Sequence, residues 1–261
     1  MWFIKTKLQF INNAETAVVN AHSSTFYKYK NLLTNKNTWY TGTKKSETSY
    51  QDLVKLGLRT NSIGFERDNV LLAFTACNIL GKKPKEIVAA LNSFRPVLGR
   101  FDYFKKDNFN IMIDFAHTSN SYVELYKAIK QKYPFKRIIH VFGCAGLRDK
   151  TKRDKMGMIA ARNSSFLVVT EEDYRTEKID DIFKEIEKGI NKIKIHQKGK
   201  TYFQIDSRQE AINFAFTQAG PDDLVLLTGK AHEKSLARGK KEFPWDEYKA
   251  VDTALKQLNN K

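Results

Sequence analysis

In the second half of the chain, four short apolar runs rich in β-branched residues each end in a polar cluster. Ile111–Phe115 leads into Ala116-His117-Thr118, and Arg137–Phe142 into Gly143-Cys-Ala-Gly-Leu-Arg-Asp-Lys150. Ser165–Val169 leads into Thr170-Glu-Glu-Asp-Tyr-Arg175, and Asp223–Thr228 into Gly229-Lys-Ala-His-Glu233. Runs of this length bounded by turn residues read as buried strands. Amphipathic helices are expected between them, at Ser121–Gln131, Asp154–Ala161, Ile179–Gly189 and Arg208–Gln218, with a further strand near 201–205. Strands alternating with helices make an α/β fold, a parallel sheet with helices on both faces. Parallel strands point one way, so the four clusters converge on a single crevice beyond their carboxyl ends.

The first third has a weaker pattern. Strands are expected at Ala14–Asn20 and Thr38–Thr41, a turn at Asn31–Asn37 and a polar loop at Thr41–Ser46. Helices follow at about Asn69–Leu80 and Pro84–Ser93, with Gly81 closing the first and Pro84 in the first turn of the second. Phe94-Arg-Pro-Val-Leu-Gly-Arg100 has the Pro and Gly of a linker, which predicts two domains, 1–95 and 96–261.

Composition excludes some classes. No apolar stretch reaches the roughly 18 residues that span a bilayer, and the amino terminus lacks the order of a signal peptide. The expectation is a cytoplasmic chain with no membrane partner. Two cysteines, Cys77 and Cys144, make neither a disulfide framework nor a metal site. A net charge of +16 favours polyanionic partners, but the lysines are scattered and no nucleic-acid motif accompanies them.

Nucleotide-binding loops are missing too. Gly199-Lys200-Thr201 ends like a P-loop, but position 194 is Lys and the segment precedes a strand. Gly143-Cys-Ala-Gly146 only partly echoes a dinucleotide fingerprint, which argues against a nicotinamide dehydrogenase. The same glycines would let the backbone approach a ligand, with Arg148, Lys150, Lys152 and Arg153 supplying cations to the crevice. Glu171-Glu-Asp-Tyr-Arg175 mixes carboxylates with a guanidinium, a set suited to a zwitterion or, alternatively, to a helix amino terminus. Glu233 offers another ammonium acceptor. Asp114 and His117 suit nucleotide contact, or Asp114 shapes a turn that Thr118 or Ser119 caps.

Taken in order, these clusters resemble the Mur ligase family, most closely the UDP-N-acetylmuramoyl-tripeptide synthetases. The resemblance runs from about Asn69 to the carboxyl terminus. It rests on Arg95-Pro-Val-Leu-Gly-Arg100, Asp114-Phe-Ala-His-Thr118, Phe142–Arg153, Thr170–Glu177 and Gly229–Glu233. It implies a Rossmann-like carboxy-terminal domain preceded by the back half of a central ATPase domain. It also implies an ATP-dependent amide ligation of peptidoglycan synthesis, in which a carboxyl of a UDP-sugar peptide is phosphorylated and an amino acid's amine displaces phosphate. Arg148, Glu172, Asp173, Tyr174, Arg175, Gly229 and Glu233 would hold the incoming diamino acid. Asn69 would lie near adenine, with Arg100, Asp114 and His117 near the nucleotide.

Two departures qualify that implication. The acceptor motif, usually Asp-Asn-Pro-Arg where meso-diaminopimelate is added, reads Glu172-Asp-Tyr-Arg175, and Ala231 replaces a usual glycine. The UDP-binding domain and P-loop half are absent, so the phosphate and metal sites for ATP and Mg2+ are expected outside this chain. A missing amino-terminal half is then a partner, the chain alone is expected to be inactive, and residues 1–69 should expose a sheet edge. The alternative is a non-catalytic amino-acid or nucleotide binding module derived from such a ligase.

Overall fold

A computed structural model describes residues 2–42, 48–59, 62–106 and 109–259. The expected polar loop at Thr41–Ser46 falls largely outside them. The chain divides into two compact units, Met1–Arg95 and Pro96–Lys261.

The first unit contains α1 (Trp2–Asn13), β1 (Ala17–Asn20), α2 (Ser24–Tyr29), a 3-10 turn at Lys30–Leu32 and β2 (Thr38–Thr41). Next come α3 (Tyr50–Lys55), α4 (Phe65–Ile79) and α5 (Pro84–Ser93). Pro84 begins α5, where its missing N–H costs nothing. Leu53, Leu58, Leu71, Phe74, Ile87 and Val88 form the small core, against which the half-buried Cys77 packs. β1 and β2 pair in parallel, and neither has a second strand beside it among the described residues. The helices α1, α2 and α3 were not expected. For α3 the signal was available: Ser49 and Asp52 cap each other's backbone reciprocally.

The second unit contains β3 (Asp102–Lys106), β4 (Phe109–Asp114), α6 (Ser119–Lys132), β5 (Ile138–Phe142), α7 (Arg153–Asn163) and β6 (Phe166–Val169). It continues through α8 (Ile179–Ile190), β7 (Tyr202–Gln204), α9 (Arg208–Gln218), β8 (Leu224–Thr228), the hairpin β9 (Ser235–Arg238) and β10 (Lys241–Pro244), and α10 (Glu247–Asn259). The sheet order is β3-β4-β8-β5-β6-β7. All neighbours in it are parallel except β3, which runs antiparallel on β4 at the edge. The last parallel strand, β8, is inserted between the first two, so the strand order reverses there. Ligands of open α/β sheets collect beyond the carboxyl ends at such a reversal.

Alternation along the strands builds two cores. Ile138 and Phe142 of β5 face α6, α7 and α8 on one side, while Ile139 and Val141 face α9 and α10 on the other. Ile113 and Leu227 have no exposed surface, and cutting either to Ala costs about 2–5 kcal/mol, because the removed methyls leave a cavity. The sheet is mostly parallel and covered on both faces, as the pattern predicts. The antiparallel β3, the hairpin and α10 are additions to it.

Candidate functional site

The loops after β4, β5, β6 and β8 are bonded to one another. Gly146 N–H donates to Asp173 O at 2.8 Å, and Arg175 Nη1 donates to Gly146 O at 3.0 Å, joining the β5 and β6 loops. Lys152 Nζ donates to His117 O at 2.7 Å, and Gly229 N–H to Asp114 O at 3.3 Å, which brings in the β4 and β8 loops. Non-glycine residues at positive φ mark the same place. Of the five among the described residues, Phe101, Leu147, Arg175 and Ala231 sit at this end of the sheet, and Asp222 at the other. Each costs about 1–2 kcal/mol, which surrounding contacts must offset.

The two glycines after β5 have a different job from the one expected. A Cβ on Gly143 would stand 2.4 Å from Thr170 O, and one on Gly146 only 2.0 Å from Tyr174 O. They admit the neighbouring loop. The cations also divide. Arg153 is fully buried against Glu177 and Glu185, Lys150 pairs with Glu177, and Lys152 is spent on His117 O. Arg148 is exposed and has no ion pair among the described residues. The expectation that all four line the crevice is corrected. Arg153 opens α7, whose first turn sets it against Ala145 O of the β5 loop and the carboxylates of Glu177 and Glu185.

The carboxylates of the β6 loop are equally unequal. Glu171 accepts from Arg238 Nε at 2.7 Å and from Arg208 N–H at 3.1 Å, so its role is structural. Asp173 Oδ1 accepts from Lys230 Nζ at 2.8 Å and from Ala237 N–H at 3.0 Å. Glu172 is buried, its Oε2 has no partner, and it faces Gly229, where a Cβ would lie 2.7 Å from that oxygen. Burial raises its pKa, against the pull of Lys152, Arg208 and Lys230. Arg175 is partly exposed, with Asp173 Oδ2 at 3.4 Å. Tyr174 packs on the core below. Glu233 is half-exposed and pairs with Lys230 at 2.8 Å. Thus Arg148, Glu172, Asp173, Tyr174, Arg175, Gly229 and Glu233 lie on three interlinked loops.

The β4 end is more aromatic. Phe115 carries the Arg100 guanidinium 4.8 Å from its ring centre, with His117 at 4.7 Å and His232 at 4.6 Å. Arg100 has no ion pair among the described residues. Asp114 accepts from Phe101 N–H and Ala116 N–H, each at 2.7 Å, so it shapes the turn. Burial raises its pKa, opposed by those two bonds. Thr118 caps α6, with Ser121 reciprocating. Asn69 is exposed on α4 in the first unit.

The sequence reading missed the supports beneath the crevice. Tyr126 Oη and Thr228 Oγ1 bracket the buried His140 at 2.8 and 2.9 Å, and Tyr122 Oη reaches Thr228 Oγ1 at 2.8 Å. Arg208 donates to Glu247 Oε2 at 2.9 Å and to Thr228 O at 2.8 Å. Cys144 is buried and its thiol is pushed up to about 12, chiefly by desolvation, which makes it unreactive. Among the described residues, no group of three or more His, Cys, Asp or Glu is placed to hold a metal ion. No described helix is long and apolar enough to cross a membrane.

Residues 99–231 match the family described as Mur ligase, glutamate ligase domain. This chain belongs to the Mur ligase family. Among Mur ligases, it is similar to the UDP-N-acetylmuramoyl-L-alanyl-D-glutamate–2,6-diaminopimelate ligase of Rickettsia typhi, 36% identical over 199 residues. That match covers 74% of this chain and 38% of the relative. The enzyme of the same name from Caldanaerobacter subterraneus is 36% identical over 188 residues, covering 72% of this chain and 38% of its own. The chain thus matches under half the length of these curated relatives. Solved Mur ligase structures share the fold. A UDP-N-acetylmuramoyl-L-alanyl-D-glutamate–2,6-diaminopimelate ligase aligns with 98% of this chain and 56% of its own, at TM-score 0.57 and 22% identity. A MurF ligase from Thermotoga maritima in complex with ADP aligns with 98% of this chain and 57% of its own, at TM-score 0.62 and 15% identity.

Proposed function

We propose that this chain supplies the amino-acid recognition and part of the ATP site of a ligase that joins 2,6-diaminopimelate to a UDP-N-acetylmuramoyl dipeptide. One observation carries the reading: an unpaired guanidinium, a partly exposed one and a buried carboxylate with an open oxygen stand on interlinked strand-end loops. Arg148 and Arg175 suit the acceptor's two carboxylates, and Glu172 and Glu233 its ammonium groups. The names of the relatives support that acceptor. Residues 1–95 are read as the back of the central ATPase domain.

Arg100, His117 and the Phe115 ring fit the anionic and flat parts of a nucleotide, while Asp114 holds their turn. ATP, when bound in the completed ligase, supplies the phosphoryl group that activates the carboxyl. The described residues do not fit Mg2+, since no group of three or more His, Cys, Asp or Glu among them is placed to hold it. These 261 residues hold no P-loop, so in this reading the phosphate grip lies outside them. A second reading is a binding module that keeps the acceptor crevice without catalysis.

Calorimetry of the full chain with 2,6-diaminopimelate, before and after Arg175→Ala, tests recognition. Affinity should fall by about tenfold or more with loss of a charge-assisted contact. Unchanged affinity would remove Arg175 from the site. Assayed alone with ATP, UDP-N-acetylmuramoyl dipeptide and diaminopimelate, the chain should show no turnover. Addition of a P-loop half should then distinguish the ligase, which gains turnover, from the module, which does not.

A further inference from the structure

Lys230 is 1% exposed, yet its ammonium donates to two carboxylates on different loops. Asp173 Oδ1, after β6, and Glu233 Oε2, after β8, each lie 2.8 Å from Nζ. Asp173 is held further by Ala237 N–H at 3.0 Å and by Arg175 Nη2, 3.4 Å from Oδ2. A buried ammonium is poorly screened by water, so it acts on neighbouring charges more strongly than a surface lysine does.

Consider what a ligand meets. With Lys230 in place, Asp173 and Glu233 share one positive charge from within, and Arg148 and Arg175 add the outer cations of the crevice. Without that ammonium, Asp173 keeps only the longer pair with Arg175, and Glu233 keeps no ion pair among the described residues. They repel an incoming carboxylate and attract an additional ammonium. Removing the charge of Asp173 does the reverse, because Lys230 then has one carboxylate fewer to mask.

We propose that Lys230 sets the crevice's preference for an acceptor with two carboxylates over one with a single carboxylate, by masking Asp173 and Glu233. It is a specificity-determining positioning residue that acts through the groups it pairs. The proposal rests on the diaminopimelate reading above and goes beyond it in naming what controls the choice.

The test is calorimetry of the full chain with 2,6-diaminopimelate and with L-lysine, in the wild type, Lys230→Gln, Lys230→Arg and Asp173→Asn. The readout is the affinity ratio of the two ligands. The ratio should fall roughly tenfold in Lys230→Gln, as expected for one close charge, hold in Lys230→Arg and rise in Asp173→Asn. Equal weakening of both ligands in Lys230→Gln marks a merely structural role and overturns the proposal. Should Lys230→Gln fail to fold, Asp173→Asn decides, since Asn keeps the Oδ1 acceptor; a ratio that does not rise overturns it. A wild-type chain that binds neither ligand removes the diaminopimelate reading and this proposal together. Binding of diaminopimelate with a ratio indifferent to all three variants removes only this proposal.

Discussion

Arg153 and Glu177 meet as a two-pronged ion pair, Nη1 to Oε1 at 2.8 Å and Nη2 to Oε2 at 2.9 Å. Arg153 also reaches Ala145 O at 3.0 Å, and Glu177 accepts from Leu147 N–H at 3.0 Å. One pair therefore fixes both the β5 loop and the segment that leads into α8.

Glu177→Gln leaves a fully buried guanidinium short of its main partner and should cost about 3–5 kcal/mol in urea unfolding. The bonds from Arg153 hold the Glu177 carboxyl far below its ordinary value of 4.5. Its stabilisation is therefore complete above about pH 4.5 and shrinks as pH falls below that, because the unfolded chain takes up the proton first. The variant should lose stability less steeply below pH 4.5 than the wild type. Identical acid slopes would contradict this.

His140 should stay neutral through the physiological range. Burial lowers its pKa from 6.5 to about 3. The unfolded state binds the extra proton between those values, so the contribution is full above 6.5 and declines as pH falls towards 3. In an NMR titration the His140 ring signals should not move between pH 8 and pH 5. A midpoint near 6 would show that water reaches the ring.

Gly146→Ala should distort the crevice. The added Cβ would need to stand 2.0 Å from Tyr174 O, a backbone atom with no rotamer to change. A loss of at least about 2 kcal/mol is expected, with faster exchange of the Gly146 amide. Wild-type exchange in the variant would mean that the two loops do not touch in solution.

Arg148→Ala should separate binding from stability. The side chain is exposed and has no ion pair among the described residues, so the melting temperature should barely change, within about 0.5 kcal/mol. Affinity for diaminopimelate should fall about tenfold, and less at high salt, because screening already weakens an exposed charge. A large drop in melting temperature would show that Arg148 supports the fold instead.

Strand ends were readable because burial on both faces forces long apolar runs, and the chemistry follows where those runs stop. The partners of the polar residues were not readable. Nothing local distinguishes Arg153, which is buried in an ion pair, from Arg148, which is exposed. Their difference depends on Glu177, two loops away. Glu171 and Glu172 are adjacent, yet one is tied by Arg238 and the other keeps an open oxygen. The hairpin escaped because β10 is exposed throughout and carries no alternation, although the Gly239-Lys240 turn hinted at it. α10 does have helical spacing, with Ala250, Val251, Ala254 and Leu255 buried. It lay beyond the last polar cluster that organised the reading.

The hairpin grips the β6 loop by main chain. Arg175 N–H donates to Ala237 O at 3.0 Å, and Gly239 N–H donates back to Arg175 O at 2.7 Å. Main-chain grips survive side-chain replacement. The two bonds depend on no side chain, so replacing Arg175 removes a guanidinium while both ties between the loop and the hairpin stay.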